Sequence, residues 1–210
     1  MTWYTLFFLF ALLVFLSGLA YHLMLLIRSG TPVDYAPPSG SLKAGIRYSF
    51  TGAMSPLKKE SAFLHLPTYS AGMVYHLGTF LSSGLIFLLW ADMALPPALS
   101  WGLAAFLLLS AVCGTGILVK RMVKKRLRDL SNPDDYISNI LVTVFQALTG
   151  LSLIPGNMVK PWLFVWAGIL LLYIPLGKLK HLLYFFVARY QLGLFYGRRG
   201  VWPPFKNKKP

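Results

Sequence analysis

Four histidines are the side chains of this 210-residue sequence that could bind a metal ion or transfer a proton in an apolar environment. His22, His76 and His181 lie within long apolar runs, and His65 lies just before one of them. None of these runs contains an Asp or a Glu. Ionisable residues within a membrane segment are rare and are candidates for function by default. Two imidazoles on facing helices can hold the iron of a b-type haem, and the residues favour this chemistry.

His76 and His181 are the two histidines whose expected depths agree. His76 follows Pro67, the expected start of its apolar run, by nine residues, which corresponds to roughly 14 Å along a helix. His181 lies toward the end of the last apolar run, on the same expected side of the bundle. We therefore expect these two imidazoles to be the axial ligands of the haem iron.

The other polar residues near these runs leave alternatives open. Lys178, Lys180 and Arg189 are candidate partners for the haem propionates, or they are cations that extend to the membrane surface from a helix end. His22 is expected to be a packing residue first, with a hydrogen bond to quinone or a contact with the haem edge as alternatives. His65 is expected to be an interfacial histidine.

The composition excludes most soluble proteins. The hydrophobic fraction is 56%, the charged fraction is 12% and the mean hydropathy is +0.61, whereas about 25% of a typical soluble domain is charged. The net charge of +14 could indicate nucleic-acid binding, but the charges alternate with long apolar runs instead of forming one basic face. The single cysteine, Cys113, excludes a disulfide framework, a cysteine zinc site and a cysteine-held iron–sulfur cluster within this chain.

Five apolar runs are long enough to cross a membrane as helices. We expect Pro175 to kink the last of them. The segment 28–66 is rich in Pro and Gly and is therefore expected to be a loop without a helix. The predicted fold is an all-α, polytopic membrane protein whose five transmembrane helices form one haem-binding bundle over residues 1–210. The predicted spans are 4–27, 67–89, 99–119, 137–154 and 162–186.

The distribution of Lys and Arg predicts the orientation of these spans. Of the 20 basic residues, five lie in the predicted loop 28–66, six in the loop 120–136 and eight after residue 174, which leaves only Lys160 for the other two loops. The N-terminus is therefore expected outside and the C-terminus in the cytoplasm, in the cytoplasmic (inner) membrane of a cell. Residues 120–128 and the basic tail 187–210 would offer a docking surface, although topology alone also explains their charge.

Two short motifs around the histidines carry a resemblance to a known family. Residues 75–80, Tyr-His-Leu-Gly-Thr-Phe, and residues 177–181, Gly-Lys-Leu-Lys-His, resemble the second-span and fifth-span motifs of the respiratory nitrate reductase gamma subunit, a five-span dihaem cytochrome b. Residues 132–136, Asn-Pro-Asp-Asp-Tyr, and 197–200, Gly-Arg-Arg-Gly, are similar to the cytochrome b subunits of sulfite-reductase-associated and high-molecular-weight cytochrome transmembrane complexes.

The sequence departs from the dihaem family at the ligands of the outer haem. The family has a second ligand about ten residues after the first one, where this chain has Leu85, Ile86 and Phe87. Its partner would stand about eighteen residues before His181, near Leu163 and Phe164. The resemblance therefore implies one haem b, held by His76 and His181.

Together, the residues and the resemblance predict an electron-transfer subunit without substrate chemistry of its own. The chain would pass electrons between the membrane quinone pool and a cytoplasmic iron–sulfur subunit, beside other membrane subunits in the lipid bilayer, with no nucleic acid involved. Quinone is a second candidate ligand. The alternative is a haem-free membrane anchor or assembly subunit of such a complex. A small transporter is disfavoured because no span contains a carboxylate.

Overall fold

The structure is a computed structural model that describes residues 1–30, 34–56, 62, 64–156 and 158–204. These residues are all-helical and contain no β-strand. Short 3₁₀ turns occupy Gly52–Met54 and Lys178–Lys180. The α-helices are α1 (Trp3–Arg28), α2 (Leu42–Phe50), α3 (Leu66–Trp90), α4 (Pro97–Val123), α5 (Lys125–Asp129), α6 (Pro133–Ser152), α7 (Lys160–Tyr173) and α8 (His181–Arg198).

Three of these helices, α1, α3 and α4, are long and apolar enough to cross a membrane, judged by length and composition. A fourth crossing would result if α7 and α8 together form one broken span. The predicted spans 4–27, 67–89 and 99–119 coincide with α1, α3 and α4 to within four residues at each end. The all-helical class and these three helices are confirmed, whereas the five-span topology stays a prediction.

The chain forms two compact units, which are described separately below. One consists of Met1–Ala20 and Leu66–Leu179, and the other of Tyr21–His65 and Lys180–Pro210. The assignment of residues 1–210 to a single membrane domain stays a prediction. Of the lysines that were counted for the orientation, Lys58, Lys59, Lys206, Lys208 and Lys209 lie outside the described residues.

The first unit is built on α4 and α6, which pack against each other, with α3 beside both and α7 beside α6. An Asn132 cap starts α6: its side chain accepts from the Asp135 N–H, and the Asp135 carboxylate accepts from the Asn132 N–H. α1 joins this unit through aromatic packing. The centroid of the Phe8 ring lies 5.4 Å from that of the Phe164 ring, and the two rings meet edge to face. The core therefore forms around α6 and α7.

The second unit contains a helix that the sequence did not predict. Segment 28–66 was expected to be a loop, but Leu42–Phe50 forms α2, with the Ser41 hydroxyl accepting from the Ala44 N–H at its start. This helix packs against α8 so closely that a Cβ on Gly197 would lie 3.0 Å from the Gly45 Cα. The buried Ser49 hydroxyl also donates to the Arg189 carbonyl at 2.7 Å. A nine-residue helix is marginal alone, so this partner explains why it forms.

The predicted fifth span, 162–186, is not one kinked helix. Its first part ends at Tyr173, and the N–H groups of Leu176 and Gly177 both bond to the Tyr173 carbonyl in a turn around Pro175. Proline lacks the N–H and clashes with the preceding turn of a helix, so a break in place of a kink is physically reasonable. The predicted tail 187–210 is corrected too, because α8 is helical up to Arg198.

Candidate functional site

His76 lies on the exposed side of α3. The side chain is exposed, as are those of Met73, Leu77 and Phe80 around it. Gly72 lies one turn before His76, and a Cβ built there would meet nothing within 4 Å. The imidazole thus stands on an open apolar surface. An ionisable side chain in a membrane segment almost always faces the protein interior or a cavity. We therefore expect a ligand or another protein to cover this surface.

The opposite side of α3 is held by two buried polar side chains from neighbouring helices. Gln146 on α6 donates from Nε2 to the Tyr75 carbonyl at 2.9 Å and to the Thr79 hydroxyl at 2.7 Å. Ser110 on α4 lies with its hydroxyl 2.7 Å from Gln146 Oε1 and 3.0 Å from the Val74 carbonyl. Both side chains are fully buried. The backbone just before His76 is therefore fixed to two other helices.

Tyr75 extends this polar cluster toward the start of α6. Its hydroxyl lies 3.0 Å from the Asn139 carbonyl and 3.1 Å from the Thr143 hydroxyl. Asn139 in turn donates from Nδ2 to the Gly114 carbonyl of α4 at 3.3 Å. The cluster connects α3, α4 and α6 with neutral groups only, so it needs no counter-ion in an apolar interior.

This polar cluster sets the rotation of α3 about its own axis. A Cβ on Gly78 would overlap the Ser110 hydroxymethyl group, so α3 and α4 are in close contact there. With this side of α3 turned inward, the helical geometry turns His76 outward. The residue type of His76 does not reveal which way its side chain faces. Gln146 and Ser110, however, are polar residues inside apolar runs, and their positions in the sequence could have indicated the inner side of α3.

We expect Gln146→Leu to destabilise the first unit. The substitution removes two hydrogen bonds from α6 to α3 and one acceptor for Ser110, and hydrogen bonds between membrane helices contribute about 0.6 kcal/mol each on average. The free energy of unfolding should fall by roughly 1–3 kcal/mol, measured by thermal unfolding in detergent. Thr115→Ala is the control, since the Thr115 hydroxyl donates to the Ala111 carbonyl of its own helix. Equal stability of both variants would contradict the role of this cluster.

A second polar group lies where α6 begins. The Asp135 carboxylate is almost fully buried, pairs with Lys178 Nζ and lies 3.3 Å from the Arg121 guanidinium. The hydrogen bond from Lys178 holds the pKa of Asp135 below its usual value, and burial opposes this shift. Lys178, a predicted propionate partner, is thus in contact with a carboxylate of its own unit.

His181 and the remaining predicted residues lie mostly in the second unit. His181 is the first residue of α8 and is exposed. His22 Nδ1 lies 3.3 Å from the Tyr184 hydroxyl, so the structure brings His22 to α8 one turn after His181. The Arg189 guanidinium lies over the Phe185 ring, 5.6 Å from its centroid. Lys180 is half-buried and His65 is exposed.

Packed apolar side chains occupy the positions at which the sequence resemblance would place the ligands of an outer haem. Ile86 is 3% exposed, and Leu163 and Phe164 are fully buried. All three belong to one core cluster with Phe8. Apolar side chains do not ligate iron.

The residues that would hold a b-type haem are those predicted from the sequence, His76 and His181. His76 offers an imidazole on an open apolar surface, Gly72 beside it leaves space for a flat ring, and His181 offers a second exposed imidazole. His76 belongs to the first unit and His181 to the second. Comparison of the chain with protein-family models, curated proteins and solved structures finds no match.

Proposed function

We propose that this chain is the haem b membrane subunit of a multi-subunit respiratory oxidoreductase. It passes electrons between the membrane quinone pool and a cytoplasmic iron–sulfur subunit. A b-type haem held by His76 and His181 would supply one-electron redox chemistry. The chain's own residues would ligate the iron, exclude water with apolar surfaces and bind the partner subunits.

The observation that carries this proposal is the exposed imidazole of His76 on an otherwise apolar surface. A histidine that merely packs between helices would lie on the inner side of α3, where Tyr75, Gly78 and Thr79 lie. The buried Gln146 and Ser110 hold that inner side in place. His76 lies on the other, exposed side of α3, where a haem or a partner subunit could reach the imidazole.

The haem-free anchor is the second candidate function. It is favoured by the same exposed surface, because Leu77 and Phe80 could contact another membrane subunit directly. In that case His76 would form a hydrogen bond across the subunit interface. The two functions differ in whether the purified chain contains haem.

An optical spectrum of the purified complex, followed by a pyridine haemochrome assay against protein mass, tests the proposal. We expect a b-type spectrum and a ratio near one haem per chain, because Ile86, Leu163 and Phe164 fill the positions of a second ligand pair. A spectrum without haem would favour the anchor. A ratio near two would show that His22 or His65 is also an axial ligand, and the single-haem proposal would then be wrong.

The proposed orientation places the N-terminus outside and the C-terminus in the cytoplasm. A reporter fused after Pro210 should be active only as a cytoplasmic fusion, and one fused before Met1 only as an external fusion, because Lys and Arg concentrate in cytoplasmic loops. Pro210 lies outside the described residues. An external C-terminus would rule out a cytoplasmic docking surface on the basic residues at α5. These are the exposed Lys124, Lys125, Arg126 and Arg128.

A further inference from the structure

A cavity of about 770 Å³ lies within the second unit, between the end of α1, α2 and the last turns of α8. Most of its wall is apolar, with Leu26, Leu42, Val187, Leu192 and Phe195 among the lining residues. Its volume falls in the range of small-molecule sites. The cavity begins where the apolar sequence of α1 ends, at Ser29 and Gly30, which is the level at which a membrane helix meets lipid headgroups.

One end of the cavity carries a guanidinium with unused hydrogen-bond donors. Arg198 Nη2 donates to the carbonyls of Asp34 and Ala36 at 3.4 and 3.2 Å. The Nε atom is buried and makes no hydrogen bond to a described residue. A guanidinium has five N–H donors, so Arg198 can bind a further acceptor through the part of its side chain that remains exposed.

The charge at this end of the cavity is positive. The Asp34 carboxylate accepts two hydrogen bonds from Arg199, at 3.2 and 3.0 Å, whereas Arg198 Nε lies 4.0 Å from it. The hydrogen bond from Arg199 lowers the pKa of Asp34, and the nearby charge of Arg198 acts in the same direction. Asp34 lines the cavity together with Arg198, and its single negative charge stands beside the two guanidiniums of Arg198 and Arg199. These three groups have a net charge of +1, which favours an anionic ligand over a neutral one.

We infer that this cavity binds an anionic phospholipid, with the phosphate at Arg198 and the upper part of an acyl chain along the apolar wall. Basic pockets at the cytoplasmic ends of membrane helices bind anionic headgroups in this way. A neutral quinone would match the apolar wall but would not use the positive charge. The site lies entirely within the second unit and does not depend on whether the chain holds haem.

The test is native mass spectrometry of the full chain, purified in detergent and titrated with phosphatidylglycerol or phosphatidylcholine. We expect the wild-type chain to bind phosphatidylglycerol more tightly. Arg198→Gln should reduce this preference about fivefold, the effect of one basic residue near a lipid surface. Arg47→Gln, on the exposed side of α2, is the matched control and should keep the preference. Leu194→Trp, which fills the cavity, should weaken the binding of both lipids.

Circular dichroism of each variant shows whether it is folded, and Leu194→Trp keeps the test valid if Arg198→Gln does not fold. An unchanged lipid preference in Arg198→Gln would overturn the inference, as would unchanged binding in Leu194→Trp. Displacement of phosphatidylglycerol by a short-chain quinone at lower concentration would assign the cavity to quinone instead. Haem content, measured on the same samples, reports on the proposed electron-transfer function independently.

Discussion

His76→Ala and His181→Ala should each abolish haem binding by the purified chain. A bis-imidazole site loses one of its two bonds to iron in either variant, and the alanine side chain offers no replacement ligand. The haem-to-protein ratio should fall from near one to near zero. The measurement is the pyridine haemochrome assay, with helix content as the check on folding.

His22→Ala and His65→Ala are the matched controls, because they remove an imidazole without removing a proposed ligand. His65 is exposed just before α3, and His22 contacts Tyr184. Both variants should keep the haem. Full retention in His181→Ala would show that the motif at residues 177–181 is not a ligand motif. Loss of haem in His22→Ala alone would show that His22 on α1 is an axial ligand.

Two variants distinguish a role in haem ligation from a role in protein stability. Gln146→Leu should lower the stability of the first unit without emptying the haem site, because Gln146 Nε2 bonds to the carbonyl of Tyr75, the residue before His76. His76→Ala should have the reverse effect, since an exposed side chain contributes little to folding. If both variants lost haem and stability together, His76 would be a structural residue.

The length of the apolar runs predicted the three long helices, but it did not predict the contacts that hold them together. α1, α3 and α4 coincide with uninterrupted apolar runs, which is the strongest sequence signal for a membrane helix. The outward direction of His76 depends on which residues of α4 and α6 meet α3. That depends on contacts between Gly78, Ser110 and Gln146, residues far apart in the sequence.

In the second unit, the sequence of a segment alone did not predict the structure that the segment forms. α2 lies in a segment rich in Pro and Gly, and its stabilising partner is about 140 residues away in α8. Pro175 was expected to bend a helix and instead ends one, because the chain makes a turn at Tyr173 that satisfies two further N–H groups. Composition alone does not distinguish a kink from a break.

Gly193→Leu should release α2 from α8. A Cβ on Gly193 would lie 2.6 Å from the Ile46 Cα and 3.0 Å from the Ile46 nitrogen, which are backbone atoms that cannot move aside as a flexible side chain does. Overpacking of this kind costs roughly 3 kcal/mol. A nine-residue helix has little stability of its own, so α2 should lose most of its structure.

Hydrogen exchange resolves this effect by segment. The amides of α2 should exchange in Gly193→Leu at rates near those of an unfolded peptide, whereas the amides of α4 and α6 in the first unit should stay protected. Gly116→Leu is the control, because a Cβ on Gly116 meets nothing within 4 Å. Retained protection of α2 in Gly193→Leu would mean that its close contact with α8 is not what stabilises it.

Unfolding of α2 should also remove Leu42 from the wall of the cavity. Lipid binding and the protection of the α2 amides should therefore decrease together.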